Sequence, residues 1–262
     1  TTAAAPNFFG VVAGTSVGQQ RCAVVCMTGG LIYSLFGLVG SFVNQGTLIV
    51  PPSNGAVSIG VSFTNTGTVS IASTAQLKFA AKTSALPSQI TNTGHFSLEP
   101  TATLEIGAFS TLQGCGPIVG GVLLIDQFAA ATFTTTSCCP LQAPAQLDIS
   151  GALTFGSACA FNTSKVTSNT GGTLQAVSGF QLTVTQALYT NPASLCGGGV
   201  LTLAGAGTIQ LLGSVLLQSY SCYLGSSLVV NSGWQIVIPA GSTATTAAAP
   251  NFFGVVAGTS VG

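Results

Sequence analysis

The chain has 262 residues, 47% of them hydrophobic but only 3% charged, against roughly 25% charged in ordinary soluble domains. Four basic residues (Arg21, Lys78, Lys82, Lys165) offset four acidic ones (Glu99, Glu105, Asp126, Asp148), leaving no net charge. So few cations can neither neutralise a row of phosphates nor gather anionic lipid, which excludes nucleic-acid and membrane-surface binding, while zero net charge favours self-association.

Residues 1–18, TTAAAPNFFGVVAGTSVG, recur letter for letter as residues 245–262, a period of 244 residues. Self-similarity at a fixed period marks repeat architectures, in which each unit completes its packing against a neighbour. The chain is therefore expected to be a window on a tandem array, with 1–18 as the joint between units and 245–262 as the start of the next. Pro6, Gly10 and Gly14 suit a short irregular connection. A competing expectation is strand donation between separate pilus-like subunits. The apolar doublets Phe8-Phe9 and Val11-Val12 depart from the strict alternation a donor strand needs.

Residues 19–40 form an apolar, Cys-containing entry segment. The stretch from Cys22 to Asn44 is uncharged and long enough to cross a bilayer. Gly29, Gly30, Gly37 and Gly40 interrupt it, and crossing once per period would thread a polymer through the membrane repeatedly, so no membrane insertion is expected. Helical periodicity is visible nowhere except weakly across 22–42.

From residue 41 to 244 the chain carries a shorter rhythm. Asn-x-Gly precedes an alternating run at Asn44, Asn65, Asn92, Asn169 and Asn231. Residues 63–71 align with 90–98 at a 27-residue offset, and the match extends from Leu77-Lys78-Phe79 to Leu104-Glu105-Ile106. Val57, Ile59, Val61 and Phe63 alternate with small residues, as a strand with one buried face must. Phe180, Leu182 and Val184 form a second inward set, with Thr183 and Thr185 outward. Trp234, Ile236 and Ile238 form a third.

Short strands every 20–30 residues, with Asn and Gly at the corners, predict an all-β parallel solenoid. About ten coils of ~25 residues would make one unit, roughly 48 Å long at the strand spacing. A corner Asn tolerates left-handed backbone angles and can hydrogen-bond its counterpart one coil away. The alternative architecture is a β-sandwich with donor-strand exchange. In the 27-residue register Lys78 falls on Glu105, predicting an exposed, stacked ion pair worth about 0–1 kcal/mol.

Over about residues 41–240 this pattern of Asn/Gly corners and alternating strands resembles right-handed β-helices of the pectin-lyase-like and haemagglutinin-repeat kind. The resemblance implies right-handed coils. It carries no catalytic residues over, because lyase chemistry of that kind wants clustered acids for calcium beside an Arg or Lys base, and the acids here are isolated.

Eight cysteines (Cys22, Cys26, Cys115, Cys138, Cys139, Cys159, Cys196, Cys222) form no CxxC pair, and the single histidine, His95, lies near none of them. That argues against zinc and for disulfides in an oxidising, extracellular setting. No catalytic residue, cofactor or metal site is expected. Glu99 and Glu105 are the nearest acidic pair, but Glu105 aligns with Lys78. His95 aligns with Thr68, an ordinary strand position, and Gly197-Gly198-Gly199 lacks the Lys and helix of a phosphate loop. Asn162-Thr163-Ser164 is the one glycosylation sequon, and covalent glycans would keep so uncharged a surface hydrated. The expected role is a structural unit of an extracellular filament or surface appendage whose main partner is itself. A carbohydrate-binding adhesin or lyase on the same scaffold is the remaining alternative.

Overall fold

The structure, a computed structural model, describes residues 7–11, 16–19, 24–26, 30–34, 40–52, 55–81, 83–133, 143–158, 160–168, 172–190, 201–205, 207–211, 214–219, 228–230, 234–238, 240–246, 253–255 and 260–261. Among them every element is a β-strand, including Val24–Cys26, Gly30–Ser34 and Ser41–Asn44 in the stretch where a helical rhythm was faintly visible. The strands line three sheets of fourteen, eleven and five members.

One coil shows how the chain moves. Ala56–Gly60 lies in the first sheet, Ser62–Asn65 in the second and Thr68–Ile71 in the third. Gln76–Phe79 then returns to the first, stacked on Ala56–Gly60. Successive rungs pair in parallel, Gln76 with Ala56 and Phe79 with Ile59. All strand pairings among the described residues are parallel, as in the two examples from the second and third sheets. This is a parallel β-solenoid; the face-packed antiparallel sandwich is excluded.

From Phe42 to Leu174 the second sheet climbs six turns, in steps of 21, 27, 22, 19, 22 and 21 residues. The expected ten coils per unit assumed a uniform 25-residue step. The six turns cover the 132 residues from Phe42 to Leu174 at a mean of 22, because the coils are unequal and mostly shorter, the corners needing only one to three residues in many of them.

Alternation along each rung builds the core. Leu48, Val57, Ile59, Phe63, Val69, Ile71, Leu77 and Phe79 are fully buried, each stabilising the fold by roughly 1.5–3 kcal/mol. Two aromatic clusters sit at different heights. Phe63 packs on Phe79 at 5.0 Å and on Phe42 at 5.4 Å, and higher up Phe155 packs on Phe180 at 4.3 Å and Phe161 at 5.0 Å. Between them the interior is aliphatic, with Leu112, Leu123, Ile125 and Ala131.

One inward assignment needs correction: Ile238, expected inward, is 44% exposed. Thr183 keeps its expected outward register beside exposed Asn162, and its low exposure of 6% comes from neighbours on that face such as Gln181, whose Nε2 donates to its Oγ1. Ile238 follows the end of its strand at Val237, where alternation no longer applies.

The cross-section changes along the axis. Among the described residues the third sheet stacks Val24–Cys26, Thr47–Val50, Thr68–Ile71, His95–Leu98 and Ile118–Val119. Higher up, Ala160–Ser168 crosses the register shift so that its second half continues the first sheet on Gln146–Ile149. Its first half founds a new ladder, continued by Gln181–Val184, Gly207–Leu211, Trp234–Val237 and Ser260–Val261. That ladder fills the same slot in chain order, after the second sheet and before the first.

Candidate functional site

The first sheet carries the charges. Lys78 and Glu105 stand opposite each other on adjacent rungs, and Lys78 Nζ pairs with Glu105 Oε1 while Gln76 Nε2 donates to Oε2. The Lys78 side chain is 34% exposed but that of Glu105 only 8%, so the pair is half-buried and not the exposed contact expected. Leu124 stands above Glu105 in the same column. With both oxygens engaged, this carboxylate is held as a structural tie between rungs.

The two nearest acids do not converge. Glu99 Oε2 accepts the backbone N–H of Ser73 at 2.7 Å on the turn one coil below. That bond, seconded by the Ser73 side chain, holds the Glu99 carboxyl below its ordinary value, against a small opposing effect of burial. His95 stands in register with Thr68 on a third-sheet strand. Among the described residues no group of three His, Cys, Asp or Glu side chains could hold a metal ion, and no helix is long and apolar enough to cross a membrane.

The second corner is organised by amides. Asn44 Nδ2 donates to Asn65 Oδ1 at 2.8 Å, and Asn65 Nδ2 donates to Asn92 Oδ1 at 2.8 Å. Each amide also donates across the corner to a carbonyl, those of Thr68 (3.0 Å), His95 (3.4 Å) and Gly116 (2.9 Å). The Asn backbone carbonyls in turn accept the N–H groups of the corner one coil up, such as Thr66 and Gly67 on Asn44. All three side chains are essentially buried, and the bonds they make are what makes burying them tolerable; Asn44 Oδ1, at the foot of the ladder, has no partner among the described residues. Gly67 and Gly94 are required by closeness, since a Cβ on either would lie 2.1 Å from a glycine carbonyl oxygen one coil below. The left-handed option expected for the asparagines is not used: none of the three has positive φ. Gln19 pairs in register with Asn44 on the rung below. Asn169 and Asn231 lie outside the described residues.

Of the disulfide candidates, only Cys115 is described with its side chain. It is half-buried, and its N–H donates to the Asn92 carbonyl. Cys26 has its backbone in a third-sheet strand. Cys22, Cys138, Cys139, Cys159, Cys196 and Cys222 lie outside the described residues. Asn162 is exposed on the first half of Ala160–Ser168, with Thr163 beside it turned inward onto the Pro144 carbonyl.

One feature escapes the sequence reading altogether. Phe109 and Phe128 are 38% and 69% exposed at the corner between first and second sheets, with φ of 59° and 63°. Their rings stack at 6.0 Å and 11°, and Phe109 N–H donates to the Phe128 carbonyl. The signal is present as Leu104-x-Ile106-x-x-Phe109 and Leu123-x-Ile125-x-x-Phe128, repeated at 19 residues, a step that the 27-residue offset of the lower coils does not show. No protein-family model, curated protein or solved structure matches this chain.

Proposed function

We propose that this chain is a structural unit of an extracellular filament or surface appendage, joined end to end through the repeated 18-residue segment. The observation that carries the reading is that the identical copies occupy the two ends of one stack. Asn7–Val11 and Ser16–Gln19 form rungs of the first and second sheets at one end. Phe253–Val255 and Ser260–Val261 form rungs of the second sheet and of the ladder in the third sheet's slot at the other, so the two copies are offset by one sheet around the axis. A terminal rung with unpaired backbone groups is a template for another strand, and covalent continuation into a next unit satisfies it. Lys78, Glu105 and Glu99 are tied up in inter-coil bonds, which supports assigning the unit no catalytic activity, cofactor or metal. The cysteines support an oxidising, extracellular location, and exposed Asn162 supports covalent glycans there.

The test is the mass of native material in reducing denaturant, together with its image. A tandem array runs as one very large chain and shows a thin rod with an axial repeat near 50 Å (about ten strand spacings). Dissociation into single units of about this chain's mass would transfer the reading to donor-strand-linked subunits. Globular particles in the image would remove the filament altogether.

A further inference from the structure

The six described charged residues are not spread around the solenoid. Lys78, Glu105, Asp148 and Lys165 lie on first-sheet strands, while Glu99 and Asp126 lie on the turns at that sheet's two edges. The outer face of the second sheet has none. Its outward positions are Ser, Thr, Ala, Gln and Val, with Thr64, Thr91, Thr132 and Thr154 in one column. A solvated protein surface without charge over so many rungs is unusual.

Phe109 and Phe128 stand on the edge of that face, immediately before the strands Ser110–Gly114 and Ala130–Phe133. A bulky residue at positive φ is strained, and strain in a well-packed scaffold points to a use. Here two phenylalanines on successive rungs keep left-handed backbones and hold their rings in water. Glycine in the same places would relieve the strain and remove the exposed apolar surface together.

We propose that the outer face of the second sheet, with Phe109 and Phe128 as its anchoring ridge, is a self-association surface on which a second copy of this chain packs side by side. The proposal deepens the filament reading by supplying its lateral contact. Three observations select a second copy as the occupant. The face carries no charge, so two copies bring no like charges together. Its side chains are small and recur every ~4.8 Å along the axis, so an identical face has the same period and its rows can interdigitate as in a dry zipper. The seven strands from Ser41–Asn44 to Gly172–Ala176 give a face of about 35 Å by 15 Å, or about 500 Å², so that two copies bury about 1,000 Å², the size at which a specific interface begins. The aromatic ridge provides the buried anchors that such interfaces concentrate their energy in, with Asp126 at the polar rim.

The experiment is sedimentation velocity of the 262-residue chain over a concentration series, with three variants. Thr132→Lys with Thr154→Lys places like charges on the face and is expected to weaken dimerisation at least a hundredfold. Ala56→Lys with Thr103→Lys adds the same charge to the first sheet and leaves dimerisation within about threefold of the parent. Phe109→Gly with Phe128→Gly is expected to raise the melting temperature while weakening dimerisation at least tenfold, a combination that a purely structural role for the rings does not produce. A monomeric parent chain overturns the proposal. So does equal loss in both lysine pairs, or a monomer that instead binds insoluble polysaccharide through Phe128. Because both lysine pairs lie on side faces and leave the terminal rungs unchanged, the comparison between them does not depend on end-to-end joining. Single-width native fibres count against this face alone, whereas the absence of fibres counts against the end-to-end reading alone.

Discussion

The last inward position of the second sheet is one continuous column, and it changes character halfway up. In register it holds Asn44, Asn65 and Asn92, then Gly114, Phe133, Phe155 and Ala176. Below, each Asn is followed three residues later by a third-sheet strand, starting at Thr47, Thr68 and His95. So tight a corner leaves backbone groups that must be satisfied inside the solenoid, and an amide is the side chain that can both accept from the rung below and donate onward and across. Above, the described third-sheet strands end at Val119, the strand after Phe155 begins only at Ala160, and the column fills with aromatic surface. The lesson is that the side chain in a solenoid column is dictated by the sharpness of the turn after it, not by its depth, for Asn65 and Phe155 are equally buried.

The largest test of that statement is to put the lower residue into the upper coils. Phe155→Asn removes a ring packed against Phe133, Phe161 and Phe180 and leaves an amide with no corner carbonyl to bond. It is expected to cost at least about 4 kcal/mol, summing the cavity and the unpaired polar group, read as a shift in urea midpoint at constant slope. A cost below about 1 kcal/mol would show that the column tolerates either chemistry and that turn geometry does not select it.

How much of this was visible beforehand follows from the same physics. The 27-residue match between 63–71 and 90–98 is legible because both coils keep the Asn-x-Gly corner, so their registers, including Lys78 on Glu105, could be read by alignment. The upper coils carry only short matches at unequal steps, Leu123-x-Ile125-x-x-Phe128 on Leu104-x-Ile106-x-x-Phe109 and Ala152-x-Thr154-Phe155 on Ala130-x-Thr132-Phe133, and a column passing from Asn to Phe removes the corner that marks the lower ones. The burial of Glu105 depends on Gln76 and Leu124, its neighbours on the coils below and above, which alternation within one strand cannot reveal. Phe109 and Phe128 were overlooked for a related reason: an exposed phenylalanine at positive φ violates every local preference used to place it.

A smaller effect sharpens the lower half of the comparison. Asn65→Ala is expected to cost about 2–3 kcal/mol, because Asn92 Oδ1 loses its donor and Asn44 Nδ2 keeps only the Thr68 carbonyl. If the amides act as a ladder, Asn65→Ala and Asn92→Ala together should be non-additive by about 1–2 kcal/mol, while Asn65→Ala and Phe155→Ala should add. Additivity in both cycles would reduce the ladder to three independent caps.

The smallest effect concerns how the two halves manage the corner into the first sheet. Below, Thr74 sits at φ 66° and is held from above, its N–H donating to Thr101 Oγ1 at 2.9 Å while the neighbouring Ser73 N–H donates to Glu99. One coil further up, Gly120 and Gly121 take positive φ without a Cβ to strain, and no carboxylate is needed. The lower corner should therefore be the acid-sensitive one. The Ser73 bond lowers the Glu99 pKa in the folded chain, so its contribution is fully present above the unfolded carboxylate value of about 4.5. It is lost as the pH falls through the lower folded value. Glu99→Gln should match the parent's melting temperature at the acid end of a series from pH 7 to pH 3. It should fall below the parent near neutrality by a small margin, as befits a fully exposed group, so that the difference between the two curves opens upward through that window. A constant gap at all pH values would assign the effect to the lost hydrogen-bond geometry and remove ionisation from the account of this corner.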